Sequence, residues 1–207
     1  LDYDEYDLGS MTWEEADDAI EDVEFVVLPC GSVEQHSLHL PLTVDTLRAE
    51  NLTQILAETA PEYDIPMIRL PTLAYGYSEH HMNYAGTVTL QSDTYQKVIE
   101  DIGKSMAAHG AKRLLLINFH GGNREPLKLA GDHLQRHNGL STYVIDWTDY
   151  AREQLEEEFG EEWGHAGEHE TSVIELFYPD LVREGKKEPQ KRKADFKTRQ
   201  YAYFDDI

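Results

Sequence analysis

Short apolar segments rich in β-branched residues alternate with segments of helical periodicity along most of this 207-residue chain. The strand-like segments cover 23–30, 65–70, 113–119 and 140–146. The helix-like segments cover 47–59, 93–109, 124–137 and 170–177. Because strands that alternate with helices are typical of parallel sheets, the pattern predicts one α/β domain over 1–207 with a mainly parallel sheet. In such sheets, ligands bind at the carboxyl ends of the strands.

The charge balance excludes two classes of partner. The chain has 40 Asp and Glu residues against 18 Lys and Arg residues, which gives a net charge of −22. Neutralising phosphate groups needs a basic surface, so we expect binding neither to nucleic acid nor to an anionic membrane. Molar salt screens dense charge to within about 3 Å, so the composition favours a halophilic cell, with ordinary acidity as the alternative. Eight of the basic residues lie together at 183–199, and the sequence leaves the role of that stretch open.

The chain carries a single cysteine, Cys30, and therefore has no internal disulfide. This composition fits a reducing compartment, and we expect a cytoplasmic protein. No apolar run approaches the roughly 18 residues of a membrane span, and the first residues lack the features of a signal peptide. We also expect a C-terminal helix to be missing, because the chain stops after the aromatic patch of Tyr201, Tyr203 and Phe204.

Two polar segments that follow predicted strands carry side chains able to bind metals. The first segment, 31–45, places Glu34, His36 and Asp45 after an apolar strand. Glu34 and His36 are two residues apart, so they point the same way in extended backbone. The second segment, 118–123, places His120 at a strand's carboxyl end. Carboxylates combined with imidazoles suit Zn, Mn or Fe in a hydrolytic site, while helix capping by Asp45 and surface histidines are the alternative.

Two further segments are candidates for chemistry or substrate binding. The segment 165–172 contains His165, Glu168 and Glu170, which could supply another carboxylate ligand and a proton-transfer group. Its alternative role is a helix-capping segment with surface charge. The segment 75–90 is a predicted loop after a strand, where function concentrates. We expect this loop to border the substrate pocket, with His80 as the contact.

Together the four segments resemble the creatininase (creatinine amidohydrolase) family over residues 23–178. The shared motifs occur in the family's order: GSxEQHxxHLPxxxD at 31–45, EH at 79–80 with GT at 86–87, NxHGGN at 118–123 and HAGExETS at 165–172. The resemblance implies a three-layer α/β/α fold and a metal-dependent amidohydrolase that holds two divalent ions. It also implies a homo-oligomer, often a hexamer.

By motif position, the resemblance implies four metal ligands: Glu34 and His120 for one ion, His36 for the other, and Asp45 as the bridge. In creatininase itself, a glutamate occupies the position that is Gly122 here. We therefore expect Glu168 to supply the missing carboxylate. Hydroxide held between the ions would attack the carbonyl carbon of a non-peptide amide.

We also expect roles for residues beside the metals. We expect His165 to protonate the leaving nitrogen and Glu170 to orient His165. Trp147 and Trp163 are expected to stack on a planar substrate, with core or interface packing as the alternative.

The sequence leaves the substrate open between two amides. One is a formamide, as in the family's archaeal deformylases that act on a formylaminopyrimidine nucleotide, and the other is creatinine or a similar cyclic amide. The Gly122 departure favours the formamide. Arg48, Arg124 or the basic stretch at 183–199 could then anchor a phosphate. A non-catalytic family member that binds a partner is the alternative from another class.

Overall fold

The computed structural model describes residues 6–160 and 163–187. Within this part of the chain, four strands form one sheet: β1 Phe25–Cys30, β2 Met67–Arg69, β3 Arg113–Asn118 and β4 Ser141–Asp146. Their order is β2-β1-β3-β4, and each neighbouring pair is parallel. The predicted parallel α/β sheet is therefore confirmed. The aromatic patch and most of the basic stretch at 183–199 lie outside the described residues.

Helices connect the strands. They are α1 Trp13–Asp22, α2 Val44–Thr59, α3 Ser92–Ala108, α4 Arg124–Asn138, α5 Trp147–Tyr150, α6 Arg152–Phe159 and α7 Glu168–Phe177. The four predicted helices correspond to α2, α3, α4 and α7. Helices α1, α5 and α6 are not predicted from the sequence, because they are short and bury few apolar residues. A capping box between Thr12 and Glu15 begins α1 and marks its start in the sequence.

Alternate residues of the central strands pack into two separate cores. Val26 and Leu28 of β1 face the core that α3 and α4 complete, whereas Val27 faces the core that includes Ala49 of α2. Strand β3 divides in the same way, with Leu114 and Leu116 on one side and Leu115 and Ile117 on the other. Because successive side chains of a strand point to opposite faces, the sheet carries helices on both faces. This is the expected three-layer α/β/α arrangement.

The register of the sheet brings the ends of β1 and β3 level. Cys30 pairs with Asn118, the last residue of each strand. The segments that follow, 31–45 and 119–123, therefore leave the sheet at one edge. Among the described residues, no helix combines the length and the apolar character needed to cross a membrane.

Candidate metal centre

The segment after β1 is held in place by main-chain hydrogen bonds. The amide of Glu34 donates to the carbonyl of Leu42, and the amide of Val88 donates to the carbonyl of Val33. Both Glu34 and His36 are buried, with about 1% of each residue exposed. The hairpin-like return of the segment leads directly into α2, which begins at Val44. The two side chains therefore face the same interior space as the first turn of α2.

Asp45 lies in that first turn and does not cap the helix. Thr43 occupies the capping position, and no side chain caps the helix there. The two carboxylate oxygens of Asp45 instead face two different histidines. Oδ1 lies 3.4 Å from His36 Nε2, and Oδ2 lies 3.3 Å from His120 Nδ1. Asp45 thus stands between the segments that follow β1 and β3.

The remote nitrogen of each histidine faces a main-chain carbonyl. His120 Nε2 lies 3.0 Å from the oxygen of Tyr77, and His36 Nδ1 lies 3.2 Å from the oxygen of Glu34. A carbonyl oxygen only accepts hydrogen bonds, so each of these nitrogens carries the proton. The other nitrogen of each ring faces the carboxylates, and it offers a lone pair once its own proton is displaced. Metal-binding histidines are commonly oriented in this way.

The first turn of α7 completes the cluster with Glu170. Its Oε2 lies 3.4 Å from His36 Nε2, and the residue is buried. Glu168 is exposed and belongs to none of the groups of possible metal ligands found in the described part of the chain. The expectation that Glu168 supplies the missing carboxylate therefore needs correction. The two residues are two apart on a helix, so they point to nearly opposite sides.

Two groups of possible ligands share Asp45. The first comprises Glu34, Asp45 and His120, and the second comprises His36, Asp45 and Glu170. Within each group, the ligand atoms lie within 4.8 Å of one another. Three buried atoms of these groups have no hydrogen-bond partner among the described residues: Glu34 Oε1, His36 Nε2 and Asp45 Oδ2. These atoms lie 3.1–3.4 Å from groups of opposite charge without forming hydrogen bonds, an arrangement that fits bound cations. The oxygen and nitrogen donors suit Zn, Mn or Fe.

Neighbouring groups of opposite charge shift the pKa values of the side chains in the cluster. Burial lowers the pKa of His36, but the carboxylates of Asp45 and Glu170 outweigh burial and raise it to about 9. Burial also disfavours charge on His120, yet Glu34 and Asp45 raise its pKa well above the usual value. Burial raises the pKa of Glu34, but His120 lowers it to about 2. A divalent cation that binds here therefore displaces protons from the imidazoles.

His165 lies beside the cluster, next to Glu34 and His36. Its Nδ1 lies 3.7 Å from Glu34 Oε1, and its ring lies 4.4 Å from the ring of His36. Its Nε2 lies 2.7 Å from the carbonyl oxygen of Gln35. The oxygens of Glu170 are engaged elsewhere, with the amide of Ala166 and the guanidinium of Arg48. Gln35 contacts the His165 ring directly, and the orientation of His165 by Glu170 stays a prediction.

Comparison with known proteins agrees with this geometry. The family model described as "Creatininase: Creatinine amidohydrolase" matches residues 9–206. The chain belongs to the creatininase family. A creatinine amidohydrolase of Pseudomonas putida is 31% identical over an alignment of 195 residues that covers 84% of this chain and 73% of that protein.

Other relatives of this creatininase-family chain differ in their described substrate. A mycofactocin precursor peptide peptidase of Mycobacterium tuberculosis is 34% identical over 163 residues. The match covers 76% of this chain and spans only 60% of that peptidase.

A solved structure described as "Creatininase Mn" has 29% identity and a TM-score of 0.75, and the match covers 92% of this chain and 80% of that one. A mutant creatininase of "Zn-Zn type" has 30% identity and a TM-score of 0.73, with 86% and 74% covered.

Adjacent histidines of the 75–90 loop both reach the creatininase-family centre. His80 stacks on His120 with 5.5 Å between ring centroids, as expected for a residue at the pocket border. His81 is buried, and its Nε2 lies 3.5 Å from Glu34 Oε1. Burial lowers the pKa of His80 to about 4 and that of His81 to about 3. His81 is not predicted as a site residue, because the spacing of residues does not show which of two adjacent histidines in a short turn faces the site.

The two tryptophans pack against protein groups. Trp147 stacks on Phe119 at 5.9 Å, and the guanidinium of Arg48 lies 4.9 Å from its ring centroid. Trp163 meets the ring of His169 edge-on at 5.1 Å. These contacts agree with the packing alternative and give no support to stacking of either ring on a substrate.

Gly122 occupies a position with no room for a side chain. A β-carbon there would overlap the carbonyl oxygen of Tyr77, and it would lie 2.5 Å from His120 Nε2 and 2.9 Å from His80 Cε1. The glutamate of creatininase therefore has no space at this point of the chain. His80 and the Tyr77 carbonyl take up the volume that it would need.

We expect Gly122→Ala to destabilise the protein by about 2–3 kcal/mol, because the new methyl group meets backbone and a buried imidazole. Gly121→Ala is a matched control, since a β-carbon on Gly121 meets nothing within 4 Å. Urea denaturation of both variants measures the difference. Equal stability of the two variants would contradict the close packing at Gly122.

Proposed function

We propose that the chain hydrolyses a carbon–nitrogen amide bond with the help of two divalent metal ions. The position of Asp45, with one carboxylate oxygen facing each ligand group, is the observation that carries this proposal. One ion would be held by Glu34, Asp45 and His120, and the other by His36, Asp45 and Glu170. Zn, Mn and Fe suit these ligands. A carboxylate between two ions is how dinuclear hydrolytic centres are commonly built.

Glu170 takes the ligand role first assigned to Glu168. Three observations support this choice. Glu170 is buried, its Oε2 lies 3.4 Å from His36 Nε2, and Gly122 leaves no space for a glutamate on the other side. Glu168 lies on the solvent side of the same helix turn.

When bound, the two ions would lower the pKa of a water molecule and polarise the amide carbonyl. The chain's own residues then exclude solvent and transfer the proton. His165 Nε2 contacts both the side-chain amide and the carbonyl oxygen of Gln35, so Nδ1 is the atom that faces the cluster. We assign to His165 Nδ1 the transfer of a proton from the attacking water molecule to the leaving nitrogen. His80 and His81 border the same space as neutral imidazoles, in a position to contact the substrate.

The substrate class stays open between a formamide and a cyclic amide such as creatinine. The relatives named above are described as acting on creatinine or on a precursor peptide, and neither name supports a formylaminopyrimidine nucleotide. Arg48 is buried and engaged with carboxylates, and Arg124 lies 3.0 Å from Asp146, so neither offers a free anchor for a phosphate. The homo-oligomer and the salt-adapted surface also stay predictions.

A hydrolysis panel tests the proposed function. Protein stripped of metal and protein reloaded with Zn, Mn or Fe are each incubated with an aromatic formamide, creatinine and a short peptide, and released formate, creatine and amine are measured. We expect reloaded protein to hydrolyse one class at least about 100-fold faster than stripped protein, since the ions supply several kcal/mol of transition-state stabilisation. No hydrolysis by protein that holds two ions would instead favour a non-catalytic, partner-binding family member.

A further inference from the structure

Arg48 is a fully buried cation beside the candidate metal centre. It lies on α2 three residues after Asp45, so both side chains share one face of the helix. Only 1% of the residue is exposed, and its Nε has no hydrogen-bond partner among the described residues. Arginine is almost never buried in this way unless it is paired. The burial of this charged side chain therefore indicates that its contacts inside the protein have a specific role.

The guanidinium is fixed from two sides. Its Nη1 contacts Glu170 Oε1 and lies 3.4 Å from Asp45 Oδ1. The central carbon of the group lies over the ring of Trp147, 4.9 Å from its centroid. A planar guanidinium on an aromatic face has little freedom to turn, whereas a lysine ammonium would have more. The Trp147 ring thus serves as a platform for Arg48.

The two oxygens of Glu170 have separate partners. Oε1 accepts from Arg48, while Oε2 accepts from the amide of Ala166 at 2.7 Å and lies 3.4 Å from His36 Nε2. Rotation of the carboxylate would break both hydrogen bonds at once. Only Oε2 is therefore directed to the space shared with His36.

We infer that Arg48 is a positioning residue that presents Glu170 to the second metal position through one oxygen. The inference rests on the proposed function, because it assumes an ion held by His36, Asp45 and Glu170. Groups that orient metal ligands typically contribute 10–100-fold to metal affinity. Arg48 would act through Glu170, without touching the substrate.

The test compares Arg48→Met with a matched variant, Arg113→Met. Arg113 also pairs with a carboxylate, Glu24 at 2.7 Å, and lies over an aromatic ring, Phe25 at 5.9 Å, but at the opposite end of the strands. Stripped wild type and both variants are titrated with Zn²⁺ against a chelator, and the visible spectrum of each Co²⁺-loaded protein is recorded. We expect Arg48→Met to raise the Kd of one of two ions by about 10–100-fold and to alter the Co²⁺ bands. Arg113→Met should keep both affinities and the spectrum.

The outcomes separate this inference from the proposed function. Wild type that binds fewer than two ions would overturn the proposed function and this inference with it. Wild type with two ions and Arg48→Met with unchanged affinities and spectrum would overturn the role of Arg48 alone. If Arg48→Met does not fold, Arg48→Lys decides the question. We expect about a 10-fold loss of affinity for the lysine variant, and wild-type affinity would overturn the inference.

Discussion

Asp45→Asn is expected to reduce hydrolysis by about 1000-fold or more. The variant keeps the size of the side chain but removes the charge that faces both ligand groups, so transition-state stabilisation worth several kcal/mol is lost. We also expect fewer bound ions per chain, because one carboxylate lies in both groups. Turnover on the best substrate of the hydrolysis panel and elemental analysis of the same sample measure the two effects.

Asp101→Asn controls for the loss of a carboxylate. Asp101 is exposed on α3 and pairs with Lys104, away from the centre. The control variant should keep wild-type turnover and metal content. Wild-type turnover by Asp45→Asn would remove the bridging carboxylate from the account.

His165→Ala is expected to reduce turnover by about 100- to 10,000-fold while the metal content stays unchanged. The reason is that Nδ1 is placed to transfer a proton, whereas the other residues of the two Asp45 groups remain to hold the ions. Turnover and metal content are again measured on one sample. His109→Ala, at an exposed position after α3, is the control.

The metal content decides between two roles for His165. Glu34, His36 and His165 also lie close enough to hold an ion together. Loss of metal along with turnover would make His165 a ligand, and unchanged turnover would remove it from the chemistry altogether.

Much of the fold could be predicted from the sequence because the central strands are continuous apolar runs. The strand predicted at 113–119 is found at Arg113–Asn118, and both of its faces are buried by helices. Glu34, His36, Asp45 and His120 could also be placed together, since the ends of parallel strands meet at one edge of the sheet. The structure brings these four side chains into one buried cluster.

The choice between Glu168 and Glu170 depends on the face of a helix. Glu170 lies four residues before Ile174, which is fully buried, whereas Glu168 lies four residues before Ser172, which is exposed. Residues four apart share a face, so the apolar pattern of α7 already indicates Glu170. The motif alone gives no such information, because it treats both carboxylates as equal.

The surroundings of Arg48 and Trp147 could not be predicted from spacing. Arginine is usually exposed, and a tryptophan after a strand fits packing as well as substrate binding. Their contact joins α2 to α5, and the two residues are 99 positions apart in the sequence (147 − 48). Only the tertiary structure places the pair behind Glu170.

The metal content of purified protein tests the central claim most directly. Wild type, Glu170→Gln and Glu168→Gln are each reconstituted with Zn, Mn or Fe, freed of excess metal and measured by elemental analysis. We expect about two ions per chain in wild type and Glu168→Gln and about one in Glu170→Gln. The reason is that Glu170, and not Glu168, lies with His36 and Asp45 at the second metal position. Fewer than about two ions per chain in wild type, with every metal tried, would contradict the dinuclear centre.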